Sequence, residues 1–172
     1  MLNVLPLISS IYFKKETTVF LLSKQLLFVL KCLKLHFNYQ YSVLSAISGV
    51  DFLSSKYRFN IVYELLSVTF TSRLRLKVAL NEITFISSSV DVFKNANWWE
   101  REIWDMYGIF FKNHPDLRRI LTDYGFEGYP MRKDYPLSGF VELRYDQNKK
   151  RIVMDQLELS QDFRLFVFTP QW

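Results

Sequence analysis

The densest chemistry in this 172-residue chain is one run, Trp98-Trp99-Glu100-Arg101-Glu102-Ile103-Trp104-Asp105-Met106-Tyr107-Gly108. Three carboxylates within six residues are the raw material of acid/base catalysis, because paired acids with separated pKa values can donate and accept protons. On a helix, Trp98, Glu102 and Asp105 share one side while Glu100, Trp104 and Tyr107 share another. No nucleophile, phosphate-binding loop or set of metal ligands accompanies them, and acid/base chemistry requires a defined substrate site. The other reading of the same residues is architectural. Glu100 stands where it completes a capping box with Asn97, and Arg101 is spaced four residues from Asp105 for an ion pair. That reading is preferred here, with the carboxylates capping a helix and anchoring arginines or backbone.

Metal and redox chemistry find even less support. Cys32 is the single cysteine, and His36 and His114 lie far apart in sequence. Intramolecular disulfides, thiolate zinc sites and cysteine-ligated iron–sulfur clusters all need more than this. The charge of +5 is uneven: residues 1–99 hold 11 basic against 5 acidic residues, and residues 100–172 hold 11 against 12. A basic first half suits nucleic acid, anionic lipid or an acidic partner. Its lysines (Lys14, Lys15, Lys24, Lys31, Lys34) are scattered, however, as on a solvated face. An adaptor for RNA or a lipid surface is therefore the alternative class, resting on that charge alone.

The elements that must position these residues are read from periodicity. Thr17–Leu35 is expected as one mostly buried amphipathic helix, with Thr17 or Thr18 as N-cap. Lys24, Lys31 and Lys34 argue against a membrane span, since each costs roughly 2.5–3.5 kcal/mol near a bilayer centre. Met1–Ser10 lacks the features of a secretory signal or an arginine-rich transit peptide, so the chain is expected to be cytosolic or made where it works. Tyr41–Val50 and Tyr57–Phe70 read as strands. Ser72–Leu80 alternates Leu74, Leu76, Val78 and Leu80 against Arg73, Arg75 and Lys77, the mark of a strand covered on one side. The short link at Thr71–Ser72 implies an antiparallel hairpin.

A short helix is expected over Ser87–Phe93, then a helix over Trp98–Tyr107 stopped by Gly108 at its C′ position. Pro115 suits the first turn of another helical stretch ending at Leu121. Asp123–Pro136, with two Gly and two Pro, reads as ordered turns. Val141–Tyr145 and Lys150–Asp155 form a candidate hairpin around Gln147–Asn148. Phe163, Phe166, Phe168 and Trp172 leave large aromatics on a tail with no core of its own. The fold class expected is α/β (α+β): an N-terminal helix and a small mixed or antiparallel sheet with helices over residues 1–121. An extended, turn-rich arm over 122–172 follows.

Glu100-Arg101-Glu102-Ile103-Trp104-Asp105-Met106-Tyr107-Gly108, continued by His114-Pro115-Asp116-Leu117-Arg118-Arg119-Ile120-Leu121, closely resembles the signature of the thirty-kilodalton subunit family of respiratory complex I. Thr122-Asp123-Tyr124-Gly125-Phe126-Glu127-Gly128, Arg132-Lys133-Asp134-Tyr135-Pro136-Leu137 and Val141-Glu142-Leu143-Arg144-Tyr145 extend it. Weaker matches at Gly49-Val50-Asp51, Lys56-Tyr57-Arg58-Phe59 and Phe93-Lys94 carry it back to about residue 40. The short chain looks like the organelle-encoded form.

The resemblance implies a soluble α/β domain with a C-terminal arm. That arm would run across the forty-nine-kilodalton subunit in the quinone-reducing part of the peripheral arm, on the matrix side of the mitochondrial inner membrane, beside iron–sulfur subunits. The whole complex uses NADH, FMN, iron–sulfur clusters and ubiquinone and pumps protons; a member of this family is expected to bind none of these itself. No nucleic acid and no membrane span are expected. The residues expected at the partner interface are Glu100, Arg101, Glu102, Asp105, Asp116, Arg118, Arg119, Tyr124, Phe126, Arg132, Lys133, Asp134 and Tyr135. Arginine forks suit carboxylates across an interface, and aromatics held in turns suit anchoring.

Overall fold

A computed structural model describes residues 5–14, 16–164 and 166. Five strands build the main sheet: β1 (Ser9–Phe13), β2 (Glu16–Leu21), β3 (Val43–Asp51), β4 (Phe59–Ser67) and β5 (Ser72–Leu80). Their order is β1-β2-β5-β4-β3, with β2 and β5 parallel and the other neighbours antiparallel. Helix α1 (Leu26–Leu35) lies in the crossover between β2 and the rest, after a 3-10 turn at Ser23–Gln25. The mixed sheet with few helices is the α+β class expected.

Strand β5 follows its alternation: Leu74, Leu76, Val78 and Leu80 are buried, and Arg73, Arg75 and Lys77 lie on the opposite face. Pairing of Ser67 with Ser72 closes the β4–β5 hairpin through four residues, with Thr71 at positive φ. Leu26, Val29, Leu30 and Leu33 of α1 join one apolar cluster with Val19, Leu21, Phe59, Ile61 and Tyr63 from the sheet. Each fully buried leucine or valine there contributes roughly 1.5–3 kcal/mol.

The expected helix over Thr17–Leu35 is half strand. Thr17, Thr18 and Val19 are β-branched and pair with Leu74, Arg75 and Leu76 of β5, so neither threonine caps a helix. Strand β1, not expected from the sequence, adds to the outer edge of β2. Ser87–Phe93 is not helical either. Ile86–Ser87 forms a short strand, β6, parallel to β7 (Phe111–Lys112), and turns follow. Helix α2 (Ala96–Tyr107) begins after Asn95, whose side chain makes no cap bond but donates to the Leu44 carbonyl at 2.6 Å. Gly108 ends α2 in the left-handed region, as expected. Residues 115–121 form no helix.

Helix α2 lies against β3, close enough that a side chain at Gly49 would strike the Tyr107 ring. The chain divides into two compact units, one ending at Tyr135 and one beginning at Pro136. The first therefore runs fourteen residues past Leu121. The second contains the hairpin of β8 (Val141–Asp146) and β9 (Arg151–Gln156), as the sequence suggested. No helix among the described residues is long and apolar enough to cross a membrane.

Candidate interface site

The acidic helix α2 turns most of its charge inward. Glu100 is completely buried. Its Oε1 accepts from the Ser89 N–H and hydroxyl, both at 2.6 Å, and its Oε2 accepts from the Ser88 hydroxyl at 2.6 Å. The buried His114 side chain stands 3.8 Å from the same Oε2. Its Nδ1 accepts the Asp116 N–H, so Nε2 carries the proton and faces the Asn97 carbonyl at 3.2 Å. Burial pushes the Glu100 carboxyl above its ordinary range, although three hydrogen bonds oppose the shift. The expected capping box fails because residues 88 and 89, upstream of the helix, claim this carboxylate.

Asp105 is equally buried but lies in a nest of donors. Its Oδ2 accepts the N–H groups of Ile120, Leu121 and Thr122 at 3.2, 2.7 and 3.0 Å, and its Oδ1 takes the Thr122 hydroxyl at 2.6 Å. Arg119 approaches Oδ1 at 3.5 Å. Burial opposes the charge, but the donors outweigh it and the carboxyl falls below its ordinary value of 3.8. In a helix over 115–121 the N–H groups of Ile120 and Leu121 would bond the carbonyls four residues earlier; here they turn to Asp105 instead, and the stretch is not helical. Nor does Arg101 pair with Asp105. It donates to the Arg118 carbonyl at 3.1 Å and stacks on Trp98. Glu100, Arg101 and Asp105, expected at a partner surface, are thus occupied inside this chain.

The turns after Thr122 are held by alternating rings and guanidiniums. Arg119 lies over Phe126 and Tyr129, and Arg132 lies over Tyr129 and Phe59. Arg119 donates to the Gly128 carbonyl and Arg132 to the Tyr107 carbonyl. Each desolvated cation–π contact contributes about 0.5–2 kcal/mol. Gly108 is required where this layer meets α2: at φ 76°, a Cβ there would fall 2.6 Å from the Tyr129 ring. Tyr135 packs near Phe126.

A further latch joins the end of this segment to the sheet. Arg58 donates to both Asp51 oxygens at 2.9 and 3.1 Å, to Asp134 at 2.5 Å, and to Glu82. The Lys133 N–H completes Asp51 at 2.9 Å. The Arg58 guanidinium holds both Asp51 and Asp134 below the usual carboxylate range. Arg58, Asp51, Ser88, Ser89 and Thr122 were not among the expected site residues. The Gly49-Val50-Asp51 and Lys56-Tyr57-Arg58-Phe59 matches were the signal for two of them.

Of the expected interface residues, Asp116, Arg118, Tyr124, Lys133 and Asp134 are exposed, and Glu102 is half-buried. Tyr124 is 99% exposed beside Gly125, on a loop that Asp105 fixes at its base. The second unit presents a different surface. Across its hairpin, Leu143 faces Met154 and Tyr145 faces Ile152, and with Val141 these form one exposed apolar face. The alternate positions carry Glu142, Arg144, Asp146, Arg151 and Asp155, with Arg144 paired to Asp155. This arrangement fits a scaffold that docks a partner. Among the described residues, no three His, Cys, Asp or Glu side chains gather as a metal site.

The family described as respiratory-chain NADH dehydrogenase, 30 Kd subunit, matches residues 20–141. The chain belongs to that family. NADH-ubiquinone oxidoreductase subunit 9 of Reclinomonas americana is 52% identical over 95% of this chain and 80% of the relative. The NADH dehydrogenase (ubiquinone) iron-sulfur protein 3 of Solanum tuberosum is 56% identical over 85% of this chain and 77% of its own length. Among solved structures, the membrane-bound sulfane sulfur reductase, an archaeal respiratory membrane complex, contains a chain of similar fold. Its TM-score is 0.70 at 19% identity, covering 95% of this chain and 94% of that one. The thirty-kilodalton family match spans the main sheet from the end of β2, helix α2 and the Asp105 nest, and it ends where β8 begins.

Proposed function

We propose that this chain is a non-catalytic structural subunit of the peripheral arm of proton-pumping NADH:ubiquinone oxidoreductase. In this reading it sits on the matrix side of the mitochondrial inner membrane. Its main partner is the forty-nine-kilodalton subunit of the quinone-reducing module, with iron–sulfur subunits nearby. The observation that carries the proposal is the β8–β9 hairpin, with its apolar face of Val141, Leu143, Tyr145, Ile152 and Met154 exposed. A two-stranded hairpin is marginal alone in water, so such a face implies a partner that covers it. Residues 122–172 include this arm, and on the first unit the exposed Asp116, Arg118, Tyr124, Lys133 and Asp134 offer further contacts to a partner.

The name of several relatives contains the words iron-sulfur protein. The residues of this chain do not fit such a cluster: Cys32 is the single thiol, placed on α1. Electron transfer from NADH through FMN and iron–sulfur clusters to ubiquinone is accordingly assigned to the neighbouring subunits. The buried Glu100 and Asp105 serve folding, and no turnover by the isolated chain is expected.

Affinity purification of the tagged full-length chain from native membranes tests this. The expected result is co-purification of NADH:ubiquinone reductase activity, absent from the chain alone. Migration as a free protein, or as a complex with RNA or lipid only, would overturn the proposal.

A further inference from the structure

Helix α1 presents an outer face that is left exposed among the described residues. Its inner side, Leu26, Val29, Leu30 and Leu33, is completely buried. On the outer side, Phe28, Lys31 and Leu35 follow one another at spacings of three and four, which places them along one stripe, and the exposed Lys24 lies in the 3-10 turn that leads into the helix. Phe28 is 59% exposed and Leu35 78%. Leu22 and Phe37, at either end, are exposed as well. Residues 17–50 contain three lysines and no aspartate or glutamate. Lys34 is committed to the Val92 carbonyl and the Phe93 ring, which leaves Lys24 and Lys31 as the exposed charges.

We infer that this stripe is a second docking surface, for a protein partner with an apolar patch rimmed by carboxylates. The inference rests on the proposed place of the chain in a multisubunit complex, but on a different element from the arm. Charge complementarity selects the occupant. A second copy of this chain would set lysine against lysine across a symmetric contact, which is repulsive. A bilayer surface fits less well. The helix has only ten residues, its other face is locked into the core, and two lysines add only about 2 kcal/mol toward anionic lipid. A protein surface can bury Phe28 and Leu35 in its centre and meet both ammonium groups at its rim.

The test places a photo-crosslinking amino acid at Phe28 of the full-length chain in native membranes, with a second probe at Tyr124 in a parallel chain. The expected result is one protein adduct at Phe28, through a segment carrying Asp or Glu. Its yield should fall roughly tenfold when Lys24→Glu and Lys31→Glu are added, because like charges then face each other. The thermal melt and the Tyr124 adduct should stay unchanged. Lipid adducts, adducts to a second copy or to residues after 135 of the same chain, or no adduct at Phe28 while Tyr124 still labels a subunit would overturn the inference alone. A chain that purifies free of NADH:ubiquinone reductase, with neither probe labelling another protein, would overturn both readings.

Discussion

The segment from Asp116 to Tyr135 and the β8–β9 hairpin face the same physical problem with opposite solutions. Neither owns a regular apolar core. The segment is almost devoid of secondary structure, yet it is fastened to α2 and the sheet by polar groups: Asp105 holds 120–122, Arg119 and Arg132 stack on rings, and Arg58 latches Asp134. The hairpin has regular pairing along six residue pairs but keeps five large apolar side chains exposed. Irregular backbone is therefore not a sign of an unfolded arm here, and regular backbone is not a sign of self-sufficiency. Fastening by hydrogen bonds and cation–π contacts to α2 and the sheet makes the first region part of the domain. Exposed apolar pairing is what supports the proposal that the second docks on a partner.

The largest expected effect comes from cutting between the two. Removal of residues 136–172 should leave a cooperatively melting domain by circular dichroism while assembled NADH:ubiquinone oxidoreductase is lost on native gels. Assembly at the full-length level would break the contrast, because the hairpin would then not be the gripping element.

The contrast also explains what the sequence revealed. Strand β5 was legible because Leu74, Leu76, Val78 and Leu80 alternate with charges, and the β8–β9 hairpin because two short runs flank Gln147–Asn148. Strand β2 was not, because Val19–Leu22 runs into α1 without a Gly or Pro to mark the change. Local spacing made Glu100 look like a cap and Arg101 look like a partner for Asp105. Both carboxylates are instead claimed by residues eleven to seventeen positions away, Ser88 and Ser89 on one side and 120–122 on the other. Such pairings follow from tertiary placement, which periodicity does not encode. The signature run was read as an outward-facing helix, whereas Glu100, Arg101 and Asp105 are buried.

Next in size is the loss of the Asp105 nest. Asp105→Ala removes the buried acceptor of three part-buried N–H groups and of the Thr122 hydroxyl and should cost about 3 kcal/mol in urea unfolding. Asp105→Asn keeps one acceptor oxygen and should cost less. Gly108→Ala forces a Cβ into the Tyr129 ring at a left-handed position and should cost about 2 kcal/mol. A neutral result for Asp105→Ala would mean that the segment is held by its cation–π layer and the Arg58 latch without the nest.

A smaller effect separates the two buried acids by the sign of their pH dependence. The Glu100 carboxyl lies above its ordinary 4.5, so the fold prefers its protonated form. Relative to Glu100→Gln, the native chain should lose stability as pH rises from that value through the raised one. The Asp105 carboxyl lies below its ordinary 3.8. Relative to Asp105→Asn, the native chain should hold its advantage above that value and lose it as pH falls through the lowered one. Urea melts of the three proteins between about pH 3 and 8 should give slopes of opposite sign. Slopes of the same sign would show that the two ends of α2 are not electrostatically distinct.

The smallest stability effect should fall on Arg118, and it is informative because it is small. The guanidinium is exposed and pairs with Asp116 at 2.9 Å, also exposed. Such surface pairs contribute less than about 1 kcal/mol. Arg118→Ala keeps the backbone carbonyl that receives Arg101, so the fold loses only that exposed contact. Its urea midpoint should therefore match the native protein within about 0.5 kcal/mol. If Arg118 belongs to the docking surface with Tyr124, the same substitution should lower the amount of assembled complex on native gels although the domain is intact. A guanidinium that reaches a partner carboxylate contributes across the interface and not within the chain. Unchanged assembly would move the docking surface away from the 116–124 loop and leave the hairpin as its main element.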